Sequence, residues 1–137
     1  MIAYVDSSVM LRLVFEEPES LAEWSFIQVG VSSVLARIEC MRTLQRHRIL
    51  RPRKRVSIDT AERSAALLLA NVTMLRLSDD ILERAAHGID VPLGTLDALH
   101  LATALQYRAT SAETIYFATH DHELADAARA FGFPTLG

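Results

Sequence analysis

A chain of 137 residues is long enough to bury one hydrophobic core without disulfides or a structural zinc. Half of its residues are hydrophobic, 23% are charged and the formal net charge is -3, which excludes a polyelectrolyte that binds nucleic acid through bulk charge. The lone cysteine, Cys40, excludes an internal disulfide, and the longest apolar run, Ala65 to Ala70, is far too short to cross a membrane. With no signal-peptide pattern at the N-terminus, a reducing cytoplasm is the expected location.

Met1 to Val5 is apolar and β-prone and stops at Asp6-Ser7-Ser8, the pattern of a buried strand feeding a helix N-cap. The helix that follows runs to about Phe15 and breaks at Glu16-Glu17-Pro18. A second helix begins near Glu19, sets Leu21 and Trp24 on one face and stops before Gly30. Val29 to Ser33 is another short strand with a serine cap. It feeds a helix from about Val34 to His47, with Val34, Leu35, Ile38 and Met41 as the expected apolar stripe.

The basic loop Arg48 to Arg55 comes next, then a helix through Leu69 capped by Asp59 or Thr60. Met74 to Leu77 reads as a strand, and Ser78-Asp79-Asp80 caps a helix ending near Gly88. Pro92, Gly94 and Thr95 introduce a helix from about Leu96 to Arg108. Thr114 to Thr119 is a strand, and the helix after His120-Asp121 reaches Phe131 and is closed by Gly132. Strands separated by helices predict an α/β fold with a central, mostly parallel sheet and helices on both faces. No repeat or linker divides the chain, so one domain over 1–137 is expected.

Four acids draw attention. Asp6 and Asp121 each follow a predicted parallel strand, and in an open α/β sheet ligands bind outside the carboxyl ends of the strands. Either residue alone is equally well explained as a helix N-cap. Glu39 lies inside a helix, one position beyond Ile38 and bordering its expected apolar stripe. Asp97 is the only formal charge between Leu96 and Tyr107. A carboxylate on such a helix is costly to bury unless it is paired or binds a cation. The plain alternative for Asp97 is a first-turn acid that satisfies the helix dipole. Four converging acids would repel one another without a metal. Oxygen ligands of this kind suit magnesium, and a bound divalent ion would let a phosphate enter.

The acids and their neighbours resemble the PIN-domain family, in particular the VapC-type toxins of bacterial toxin–antitoxin modules. The matching stretches are Tyr4-Val5-Asp6-Ser7-Ser8, Ser33 to Glu39, Thr95 to Ala104, and Ala118 to Asp121 with Leu124, Ala127 and Ala128. They span essentially the whole chain in order, and Leu96 to Ala104 is the most distinctive. The resemblance implies an endoribonuclease that binds Mg²⁺ or Mn²⁺ through Asp6, Glu39, Asp97 and Asp121. It also implies a cognate VapB-type antitoxin, a homodimer and an RNA substrate. Ser7 and Thr119 match polar positions beside the acids, where a hydroxyl can orient a carboxylate or a water.

Arg42 and Arg46 follow Glu39 by three and seven residues and can share its helix face, either pairing with acids or receiving RNA phosphates. They belong to a basic run from Arg37 to Arg55 that a solvated surface explains equally well. His100, three residues after Asp97, reads as a structural histidine, because imidazole ligation suits zinc better than magnesium. His120 and His122 read as exposed loop histidines, and Cys40 as a small packed hydrophobe. Two phosphoaspartate chemistries, the haloacid-dehalogenase and receiver types, also place an Asp after the first strand. Both want a downstream lysine, and the former a second acid where this chain has Ser8. The sole lysine here is Lys54, in the basic loop. A catalytically silent binding module would have no reason to gather acids where RNA approaches.

Overall fold

A computed structural model describes residues 1–137. Its first strand, β1 (Ile2–Val5), has buried residues on both faces, so the hydrophobic run serves two layers at once. Ala3 and Val5 pack with Val9, Met10, Ala36, Cys40 and Leu69 on one side, and Tyr4 packs with Leu101, Leu105, Phe117 and Leu124 on the other. The first side is covered by α1 (Ser7–Val14), α2 (Val34–Leu50) and α3 (Ile58–Asn71). The second is covered by α5 (Thr95–Ala109) and α6 (His122–Ala130), with α4 (Asp79–His87) packed against α5.

The other strands are β2 (Val29–Ser33), β3 (Val72–Leu75), β4 (Ile115–Ala118) and β5 (Thr135–Leu136). All pairings are parallel, in the order β3-β2-β1-β4-β5. The expected mostly parallel sheet is therefore wholly parallel. The chain lays β2 and β3 to one side of β1, then returns to lay β4 and β5 on the other. The strand order thus reverses at the β1–β4 boundary, where an open α/β sheet leaves a crevice. Val5 pairs with Ala118, so Asp6 and Thr119 emerge side by side, and the Asp6 amide donates to the Ala118 carbonyl at 2.9 Å.

Several local expectations change. The predicted helix near Glu19 is only a 3₁₀ turn, Ala22–Phe26, with Trp24 packed on the core and Phe26 exposed. The third strand begins at Val72 rather than Met74, and the cap of α3 is Ser57, whose hydroxyl accepts the Thr60 amide. The C-terminal strand β5 carries only two residues, too few for a periodic signal.

The largest correction concerns α2. It buries Ala36, Cys40 and Leu44, whereas Ile38 and Met41 of the expected stripe are 55% and 53% exposed. Apolar residues occur all round this helix, so their spacing selects no single face. The small side chains at 36 and 40 let it lie close to the sheet. The helix also runs on to Leu50, ended by Arg51 in the left-handed region, so the basic loop is shorter than predicted.

Candidate active site

Asp6 sits at the switch point and is 5% exposed. Its Oδ2 caps α1, accepting the Ser8 amide at 3.3 Å, and also accepts the Ser8 hydroxyl at 2.6 Å and the Thr119 hydroxyl at 3.0 Å. Three donors converge on one oxygen. The other, Oδ1, lies 3.7 Å from His100 Nε2. Cap and site are therefore both occupied by this residue, one oxygen to each role. The serine that touches the acid is Ser8; Ser7 is buried beside it without a hydrogen bond to Asp6.

Thr119 joins the two strand ends, since its hydroxyl also accepts the Asp121 amide at 3.0 Å. The Ser8 hydroxyl accepts the His120 amide at 3.0 Å. Asp121 caps α6 by accepting the Leu124 amide at 2.9 Å through Oδ1 and is solvent-exposed.

Glu39 reaches the same place from α2. Its Oε2 lies 2.8 Å from His100 Nε2, a contact that joins one helix from each face of the sheet over the strand ends. Asp6, Glu39 and His100 present ligand-type atoms all within 4.8 Å of one another. The imidazole of His100 is 1% exposed, and its Nδ1 is bonded to the Tyr4 hydroxyl at 2.8 Å. Burial alone would lower the His100 pKa. The Glu39 hydrogen bond and the charges of Asp6, Glu39 and Asp97 outweigh it, and the net shift is upward. Burial, then the charge of Asp6, holds the Tyr4 hydroxyl protonated, well above the ordinary phenol range.

Asp97 stands half-buried in the first turn of α5 with no hydrogen-bond donor on its carboxylate. Its pKa is raised, first by burial and then by the charges of Asp121, Asp6 and Glu39, with His100 opposing. A first-turn acid serving only the helix dipole would be stabilised as an anion. Here burial, and after it the neighbouring acids, outweighs that effect. Asp97 and Asp121 thus share the electrostatic field of the cluster but lie outside its tightest group of three.

The structure consequently brings Asp6, Glu39, Asp97, Asp121 and Thr119 to one edge and adds Ser8, His100 and Tyr4. The available signal for His100 was its position one helical turn past Asp97 on a helix almost free of charge. Nothing local pointed to Tyr4, whose partner lies 96 residues away. Arg42 and Arg46 are exposed and form no ion pair, so the expected alternative of pairing with the acids is not realised. Cys40 is buried against the first core cluster, its thiol pushed up to about 12 by burial and then by Glu39 and Asp6. It is an inert packed group. His122 is exposed, but His120 is only partly so, and it helps line a polar cavity of about 290 Å³ beside Asp121 with Arg12 and Arg129. No helix is long and apolar enough to cross a membrane.

A family model described as "PIN domain" matches residues 3–130. Ribonuclease VapC46 of Mycobacterium tuberculosis (strain ATCC 25618 / H37Rv) is 32% identical over 136 residues, covering 97% of this chain and 95% of the relative. Ribonuclease VapC47 of Mycobacterium tuberculosis (strain CDC 1551 / Oshkosh) is also 32% identical, over 139 residues, covering 96% and 93%. The crystal structure of PAE2754 from Pyrobaculum aerophilum superposes with a TM-score of 0.63 at 20% identity, covering 98% of this chain and 83% of that one, a likeness of fold. The family match over nearly the whole length and the two full-length relatives lead to one assignment: this chain belongs to the PIN-domain family.

Proposed function

We propose that this chain is a Mg²⁺- or Mn²⁺-dependent endoribonuclease of the VapC type, a toxin that restrains translation and growth until a cognate VapB-type antitoxin neutralises it. The observation that carries the reading is the gathering of Asp6, Glu39, Asp97 and Asp121 at the switch point of a PIN fold. The Mycobacterium tuberculosis relatives named as ribonucleases support RNA as the substrate class. A homodimer and a cytoplasmic location complete the proposal.

The donor set fits a hard divalent cation. It is rich in carboxylate oxygens, and burial together with the charges of Asp121, Asp6 and Glu39 raises the Asp97 pKa, so a cation there would offset a real cost. Asp6 through Oδ1, Glu39 and Asp97 would hold the ion, with Asp121 at the solvent side. When bound, such an ion supplies Lewis acidity, offsetting the carboxylate charge and polarising a phosphoryl oxygen.

The chain's own residues prepare the site. Ser8 and Thr119 lock one oxygen of Asp6 and leave the other facing inward. Arg37, Arg42, Arg46, Arg51, Arg53 and Arg55 are exposed and unpaired, whereas Arg48 is taken by Asp59 and Glu62 and Lys54 by Glu17. Of the free arginines, Arg42 and Arg46 follow Glu39 on the same helix, which supports their reading as receivers of RNA phosphates. RNA cleavage by the purified chain is expected with Mg²⁺ or Mn²⁺, to stop on chelation and to be lost in Asp6→Asn and Asp97→Asn. Metal-independent cleavage retained by both variants would overturn this mechanism.

A further inference from the structure

Both nitrogens of the His100 ring are engaged, Nδ1 with the Tyr4 hydroxyl and Nε2 with Glu39 Oε2, each at 2.8 Å. The ring is buried and meets the Tyr4 ring edge-on, with centroids 6.0 Å apart at 72°. Tyr4 is itself fully buried, stacked on Phe117 at 5.1 Å. Neither ring has room to turn without opening the core between β1, β4 and α5.

Donor and acceptor bookkeeping then fixes where the protons lie. An ionised Glu39 carboxylate only accepts, so a hydrogen bond to it requires a proton on Nε2. A neutral ring protonated at Nε2 accepts at Nδ1, and the Tyr4 hydroxyl supplies that proton. A doubly protonated ring still carries Nε2–H. The remaining form, neutral with Nδ1–H, would set a lone pair against the carboxylate 2.8 Å away. In every form compatible with an ionised Glu39, Nε2 therefore has no lone pair to offer a metal.

We propose that Tyr4 and His100 form a buried hydrogen-bonded chain that fixes the Glu39 carboxylate, and that His100 is a positioning residue acting through Nε2–H rather than a metal ligand. This rests on the reading of Glu39 as a ligand of a divalent ion and adds how that ligand is held. The chain reaches from the core of one face of the sheet to a ligand delivered by a helix on the other. The same Nε2 lies 3.7 Å from Asp6 Oδ1, so its N–H also sits between the two carboxylates and tempers their repulsion. Groups that orient ligands in this way are typically worth about 10–100-fold in metal affinity.

The test needs no RNA. Long-range ¹H–¹⁵N spectra of the His100 imidazole are recorded on the full chain, metal-free and with saturating Mg²⁺. Mn²⁺ affinity is measured by paramagnetic resonance for wild type, Tyr4→Phe, His100→Gln and His100→Leu. A proton on Nε2 in both spectra is expected. Affinity should fall about 10–100-fold in His100→Leu, less in Tyr4→Phe, and least in His100→Gln, whose amide keeps a donor.

Loss of the Nε2 proton on Mg²⁺ binding would make His100 a ligand and overturn the inference. Equal losses in His100→Gln and His100→Leu would overturn it too. Should the variants fail to fold, the wild-type spectra still decide. An Nδ1–H tautomer with metal binding intact sinks only this inference, whereas a wild-type chain that binds neither ion sinks it together with the proposed function.

Discussion

The crevice between β1 and β4 and the outer face of α2 lie near one another but treat charge in opposite ways. In the crevice, Asp6 is buried and Glu39 and Asp97 are partly buried, and Asp6 and Glu39 are each held by named donors. On α2, Arg42 and Arg46 stand in solvent beside exposed Ile49 and Leu50, without a partner. Under the proposed function the contrast would separate two tasks. Groups that must meet a small hard ion at fixed distances gain from being locked in place. Groups that meet a flexible polyanion contribute through charge and reach, which ordering would not improve.

Removing an acid from the crevice should have the largest effect. Asp6→Ala is expected to lower cleavage by more than about 100-fold, beyond the range for groups that merely orient ligands. A single-turnover assay with Mg²⁺ checks it. Next come the hydroxyls that hold Asp6. Thr119→Val and Ser8→Ala should each cost about 10–100-fold in Mn²⁺ affinity, whereas Ser7→Ala should cost far less, because its hydroxyl makes no bond to the acid. Calorimetric titration with the ion would read all three. A Ser7 loss as large as that at Ser8 would mean the locking contacts are misassigned.

The α2 face should respond more mildly and in a different observable. Combined Arg42→Ala and Arg46→Ala is expected to raise KM for RNA and leave kcat nearly unchanged. The salt slope of binding should drop by about 1.4, at roughly 0.7 for each single-strand phosphate no longer neutralised. An unchanged slope would remove this face from RNA binding and erase half of the contrast.

The smallest effect is on stability. The Asp97 pKa is raised in the folded chain, so its ionisation opposes folding once the pH exceeds the unfolded carboxylate value. The metal-free protein should therefore gain stability as the pH falls from above the folded-state pKa toward the unfolded value. Asp97→Asn should raise the metal-free Tm at neutral pH by roughly 2 °C and flatten that dependence. Scanning calorimetry with and without Mg²⁺ distinguishes this, because the ion should relieve the penalty in the wild type alone.

Much of this was legible in the chain. The apolar strands that stop at Asp6 and Asp121 mark the sheet edge, and the isolated charge of Asp97 on an apolar helix marks a residue with a purpose. Contacts that cross the sheet were not legible. Glu39 and His100 are 61 residues apart, on helices of opposite faces, and no periodicity reports such a meeting. The burial face of α2 departs from the expected stripe because Ile38 and Met41 are larger than Ala36 and Cys40, and spacing alone says nothing of how closely a helix approaches a sheet. The exchange of Ser7 for Ser8 has a plain cause as well. An N-cap side chain bonds groups two or three residues onward, so the hydroxyl on Asp6 comes from the second serine.

One measurement addresses the central claim most directly: anomalous diffraction from crystals of the full chain soaked in Mn²⁺, with Asp6→Asn crystals as the control. The expected result is a peak within coordination distance of Asp6 Oδ1, Glu39 and Asp97 in the wild type and its loss in the variant. A peak elsewhere, or one that survives Asp6→Asn unchanged, would contradict the assignment of this crevice as the metal centre.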